Sequence, residues 1–342
     1  MNTENLRAEI EKTGFVLEYH VSRALQAHGW NVISNKYYVD DLQETVREID
    51  IVAYKTLMIN HIRLYTTIIL SCKKSESDAW VLLSKKRDPD DPNMDWYPVH
   101  VWSNDKVMSY QVSGGEWRRG YSNMQDWRGC EELATPAKRH IFAFQEMNLE
   151  SGKPNNDRNI FTFVTALMKA QAYELTSLPQ RRHDPVIYQF NLLSVLDTEL
   201  CRLDCAGETI TPREIESDIY VANYIIHKRQ TSARIHFVTW KSFERIVSLY
   251  DKLHEANLEF FKDHYQAFYK NVETDGNRLN VLLTDFQQRV RYPIRQAVRS
   301  SGVDVKPDDI FLSWSTKLKV LFVYVPISEE LVAIEGYAKP IY

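Results

Sequence analysis

The sequence is short of the residues behind several common enzymatic and secretory signatures. Only four cysteines occur among 342 residues, at Cys72, Cys130, Cys201 and Cys205, and no two form a C-x-x-C pair. That excludes the usual zinc and dithiol motifs and leaves reduced, mostly buried thiols. Excess positive charge is lacking too. The formal net charge is −4, so a polyanion would have to be held by local patches rather than by the molecule's overall field. No stretch approaches the roughly 18 apolar residues of a membrane span. The opening "MNTENLRAEIEKTGF" is polar and charged, with no run of signal-peptide length, and the chain reads as cytoplasmic with no membrane partner. There is no glycine-rich phosphate loop and no G-x-S-x-G elbow, which argues against nucleotide hydrolysis by those routes. His20, His28, His100, His140 and His183 are scattered without metal-ligand spacing. No internal repeat or low-complexity tract is found.

What is present is an ordinary globular composition, 44% apolar and 26% charged, enough for one elaborated domain or two. "GFVLEYHVSRALQAHG" carries Phe15, Leu17, Val21, Ala24 and Leu25 at helical spacing, follows Thr13 as N-cap and stops at Gly29. "WNVISNKYYV", "REIDIVAYK" and "LYTTIILSC" read as three strands. Residues 76–135 are broken by Pro, Gly, Asp and Asn and read as an insertion or long surface loops. Beyond them, "KRHIFAFQ" is expected as a strand, "NIFTFVTALMKAQAYEL" as a helix and "PVIYQFNLLSVLDTELCRL" as a long strand or strand pair. "SDIYVANYII" and "ARIHFVTW" are expected as further strands. The expected fold is α/β, with all these strands in one mixed central sheet flanked by helices over residues 1–240. Residues 241–342 are expected to be a mostly helical C-terminal region ending in strands, helical on both sides of Pro293.

Alternation along a strand puts Glu48 and Asp50 on one side, with Ile49, Ile51 and Cys72 toward the other layer, and puts Ser71 and Lys73 together on the next strand. An acid amid an apolar strand is costly unless it is paired or holds a cation, and Lys73 is the evident partner for Asp50. Glu18 lies three residues after Phe15 and three before Val21, which sets a carboxylate on or beside the core stripe of its helix.

Taken in order, "GFVLEYHVSRALQAHGW", "REIDIVAYK" and "IILSCKKSE" resemble the PD-(D/E)XK nuclease superfamily, the restriction-endonuclease-like fold, and within it the Mrr-type and Holliday-junction-resolvase-type branches. The resemblance covers residues 13–75 clearly and reaches loosely to 240. It implies that Glu18 is the helix glutamate, Asp50 the metal-binding aspartate and Lys73 the lysine beside the attacking water. Ser71 then stands where the second acid belongs. It further implies Mg²⁺ (or Mn²⁺) on Asp50, Glu18 and Glu48, DNA as substrate, and a place in bacterial restriction, phage defence or repair. Phosphodiester hydrolysis suits these residue types, since carboxylates hold the cation while a lysine offsets phosphate charge and orients water.

Three readings of Ser71 follow. The acid arrives from another element, with Glu48, Glu76 and Glu174 as sources. Alternatively the site is degenerate and the fold binds nucleic acid or a protein without cutting. In the third reading, a serine substituted for the acid of an "ECKKS" motif silences the site. Gln171 and Tyr173 match residues that the RecB-like branch places near its site. Lys74, Arg291, Arg295 and Arg299 are candidates for phosphate contact. So are "KKR" at 85–87, Arg181 with Arg182, and Lys228 with Arg229. Trp96, Trp102, Trp117 and Trp127, interleaved with Arg118, Arg119 and Arg128, are candidates for base stacking. Cutting both strands of a duplex calls for two sites, so a homodimer, or a protein partner held by the C-terminal region, is expected. A plain interaction module is the remaining alternative.

Overall fold

A computed structural model describes residues 3–40, 45–123, 129–155, 157–300 and 302–326. Two helices open the chain, α1 (Thr3–Glu11), which the sequence did not announce, and α2 (Gly14–Ala27). Leu17, Val21, Ala24 and Leu25 are buried along α2 as their spacing requires, while Phe15 is 68% exposed. The helix stops where Gly29 takes φ +79°, a conformation that costs a residue without Cβ little.

Three antiparallel strands follow: β1 (Asn31–Asp40), β2 (Thr45–Ile59) and β3 (Ile62–Lys74). β3 is buried along most of its length, which explains why its apolar run does not alternate. Residues 76–135 hold more order than their composition suggested. They contain β4 (Asp78–Lys86), β5 (His100–Ser103), α3 (Lys106–Ser113), α4 (Glu116–Ser122) and α5 (Glu131–Ala134). Then come β6 (Arg139–Asn148), α6 (Arg158–Arg181), β7 (Val186–Asp197), β8 (Leu200–Ala206), β9 (Thr209–Glu214), β10 (Ser217–Ile226) and β11 (Arg229–Thr239).

These strands form two mixed sheets, not one. The larger runs β1-β2-β3-β7-β11-β10, with β5 also on β7, and the smaller runs β6-β4-β8-β9. The strands "KRHIFAFQ" and "TELCRL" therefore leave the central sheet, because β4 pairs antiparallel with β6 and parallel with β8. In the larger sheet β3 lies parallel to β7, across the connection that contains α6.

α6 packs Val164, Leu167 and Met168 against Tyr65, Ile69, Tyr188 and Leu192 on one face of the larger sheet, in a core shared with Trp80 and Leu82 of β4. A long helix α7 (Phe243–Tyr269) meets the opposite face. There His254 Nδ1 lies 2.8 Å from Thr66 Oγ1, and Asn257 Nδ2 donates to both Thr66 and Gln189.

The chain divides into two compact units, Met1–Lys262 and Asp263–Tyr342. The boundary falls within α7, so most of that helix belongs with the sheet rather than after a break at residue 240. In the second unit α8 (Gly276–Ser300) runs unbroken through Pro293, and β12 (Phe311–Ser315) pairs antiparallel with β13 (Val320–Tyr324). Val303, Val305 and Ile310 pack there against Ile294 and Val298. Among the described residues, no helix is long and apolar enough to cross a membrane.

Candidate functional site

β2 and β3 stop pairing at Ile51 and Leu70. From there β2 continues on β1 alone, while β3 continues on β7 from Ser71 with Ser194 to Lys74 with Asp197. Asp50 and Ser71 are the first residues past the last pair, at the mouth of the resulting fork. The Asp50 carboxylate does there what a strand carbonyl would have done: its Oδ2 accepts the Cys72 N–H at 2.8 Å and the Ser71 hydroxyl at 3.1 Å. Strict alternation of β2 breaks at this point. Ile49 and Val52, of opposite parity, share the core cluster with α6, and Asn35, facing the break from β1, takes φ +52°.

The fork opens into a cavity of about 330 Å³. Glu18 from α2, Glu48 and Asp50 from β2, and Ser71 and Cys72 from β3 line it, and α6 closes the far side with Thr162, Phe163, Ala166 and Ala170. Lys73 stands by this wall, its Nζ 5.6 Å from the centre of the Phe163 ring. The ion pair expected between Asp50 and Lys73 is not formed. Asp50 is compensated by hydrogen bonds, and Lys73 by a ring face.

Three acids around one cavity repel one another. Burial, with Asp50 and Glu48 adding to it, pushes Glu18 up to about 7. Burial also raises Asp50, against the pull of the Cys72 N–H and the Ser71 hydroxyl. The Cys72 thiol is pushed well up by burial, which favours its protonated form.

Of the proposed sources for a missing acid, Glu48 alone lines the cavity, where Asn35 Nδ2 donates to its Oε1. Glu76 lies in a separate groove with Lys74, and Glu174 is buried between Lys36 at 2.6 Å and Arg181 at 2.8 Å. Gln171 and Tyr173 are not at the fork either. Gln171 lines another cavity and Tyr173 packs on Tyr38.

Several of the basic candidates are paired with acids. Lys74 meets Asp197 at 3.2 Å, Arg291 meets Asp308 and Arg295 meets Asp304. Trp96 and Trp117 are buried and Trp102 packs on the core, so none of these three offers a stacking face, while Trp127 and Arg128 lie outside the described residues.

Sequence reasoning missed the α6 wall. Its one signal is small residues, Ala166 and Ala170, repeating four apart in line with Thr162.

Among the described residues, no group of three or more His, Cys, Asp or Glu closes tightly enough to hold a metal ion by itself. Mg²⁺ needs less, since it keeps several waters and uses one or two carboxylates plus substrate phosphate. Asp50, Glu18 and Glu48 line one cavity, and no hydrogen bond from the described residues occupies Asp50 Oδ1. No protein-family model, curated protein or solved structure matches this chain.

Proposed function

We propose that the chain is a Mg²⁺-dependent endonuclease of the PD-(D/E)XK type, acting on DNA, whose site is weakened or silenced by the serine at position 71. One observation carries the reading: Glu18, Glu48, Asp50 and Ser71 converge from separate elements on a single cavity at a sheet fork, with Lys73 beside its wall. The order α2, β1, β2, β3, α6, β7, with β3 parallel to β7, supports it as the core such a nuclease needs.

Asp50 with Glu18 or Glu48 would hold the cation, which when bound would neutralise phosphate charge and acidify a water. Lys73 adds a cation where phosphate charge grows, and the Phe163 face steadies its stem. Ser71 cannot act as the acid. It is neutral and its hydroxyl is already given to Asp50 Oδ2. That same hydrogen bond favours a second reading, a nuclease-like domain that binds without cutting.

Plasmid cleavage with Mg²⁺ or Mn²⁺ tests both. Ser71→Glu is expected to cut, and Ser71→Glu with Lys73→Ala to lose roughly a hundredfold or more of that rate. Cleavage by the unaltered chain would assign the acid's role to Glu48. Silence from all three folded proteins would sink the nuclease reading and leave the binding one.

A further inference from the structure

A second cavity, about 40 Å³ and deeply set, shares no lining residue with the fork. Its walls come from the segment before β5, from α6, from β7 and β11, and from α7, and several of its polar groups lack partners. His236 is 3% exposed, and among the described residues neither ring nitrogen makes a hydrogen bond. Glu132 Oε1 stands 3.7 Å from His236 Nε2, too far to accept from it, and that carboxylate is engaged by Ser217 and Arg245. Arg234 gives its terminal N–H groups to the carbonyls of Leu133 and Thr135 at 2.8 and 3.0 Å, and its guanidinium lies 4.5 Å from the Tyr97 ring centre. Its Nε–H is buried and unpartnered. Gln171 is also 3% exposed, and among the described residues no hydrogen bond reaches its carboxamide.

The guanidinium is thus solvated by carbonyl dipoles and a ring face, with no carboxylate among the described residues paired to it, an arrangement that leaves a positive charge under cover. Burial holds His236 toward its neutral form, so it keeps one N–H to donate. A water would fit the space and meet some of these donors, but it would leave the charge uncompensated. A small anion answers both needs. The volume admits a monatomic ion and excludes a nucleotide or any phosphodiester.

We propose that this cavity binds a small monovalent inorganic anion of about chloride's size, held by Arg234, His236 and Gln171, and that the anion ties β11 to α6. The test is thermal unfolding of the full chain while chloride replaces gluconate at constant ionic strength, with bromide-soaked crystals as a direct probe. Chloride is expected to raise the melting temperature saturably, and bromide to give an anomalous peak between Arg234 and Gln171. Arg234→Met should abolish the chloride response. Where that variant fails to fold, Gln171→Leu should raise the chloride midpoint roughly tenfold by removing one donor. Identical melting in both salts would overturn the proposal. So would a wild-type chloride response in Gln171→Leu, or a bromide-soaked crystal with water alone in the cavity.

Discussion

Glu18 shows how one residue records the demands of its site. A half-buried carboxylate beside two others binds its proton more tightly in the folded chain than in the unfolded one, reaching about 7 from an ordinary 4.5. A raised acid contributes stability that is complete below about pH 4.5 and is lost as the pH rises through about 7. Above that window the ionised Glu18 opposes folding. Glu18→Gln is therefore expected to stabilise the protein by about 1 kcal/mol above neutrality, after discounting for solvent screening, and to leave it nearly unchanged in acid. Urea unfolding across pH measures this, and equal stability of the two proteins at every pH would remove the repulsion from the account. Mg²⁺ should narrow the gap by stabilising the wild type, because a cation among the three acids makes the ionised form welcome.

At the level of elements, two acids of α7, Glu244 and Asp251, hold His28 at the end of α2, and the contacts centre on Asp251. It accepts Lys55 Nζ from β2 at 2.7 Å and the Trp30 indole N–H at 2.8 Å, and it lies 2.6 Å from His28 Nδ1 at the end of α2. The Asp251 hydrogen bond is the largest influence raising His28. Stability from this contact is therefore complete below the imidazole's ordinary range and is lost as the pH climbs through its raised value. Asp251→Asn is expected to cost about 2 kcal/mol in mild acid and to flatten the pH dependence, both read from denaturant midpoints. An unaltered pH profile in that variant would refute the fastening role. Elements of this kind were legible where pattern and punctuation agree, as in α2 between Thr13 and Gly29 and in β2 and β3 with their β-branched runs. Partnership was less legible. Periodicity marks β6 and β8 as strands but says nothing of which sheet receives them. The acids of the fork could be read from order and spacing. The α6 wall could not, because 113 positions separate Asp50 from Phe163 in the chain. Gln171 misled because α6 is buried on more than one side, so a polar residue there need not face solvent or substrate.

For the molecule as a whole, charge decides how DNA could be held. The net charge is −4, and several of the basic side chains that looked like a phosphate track are spent on acids: Lys74 on Asp197, Arg291 on Asp308 and Arg295 on Asp304. Lys73 stands beside the fork's α6 wall, against Phe163. Each phosphate neutralised by the protein steepens the salt dependence of duplex binding by about 0.9 in log–log slope, so two or three contacts give a slope no steeper than about −3. Metal-free binding is accordingly expected to be weak and shallow in its salt dependence. It should tighten with a divalent cation, which supplies positive charge where three carboxylates now repel phosphate. Fluorescence anisotropy of a labelled duplex against salt, with and without Mg²⁺, gives the slope directly. A metal-free slope of about −6 or steeper would require a basic surface beyond the fork, with Lys85, Lys86 and Arg87 the first to replace. A shallow slope that becomes tight binding only with Mg²⁺ would place recognition at the fork itself, where Asp50 and Glu18 need a cation before phosphate can approach.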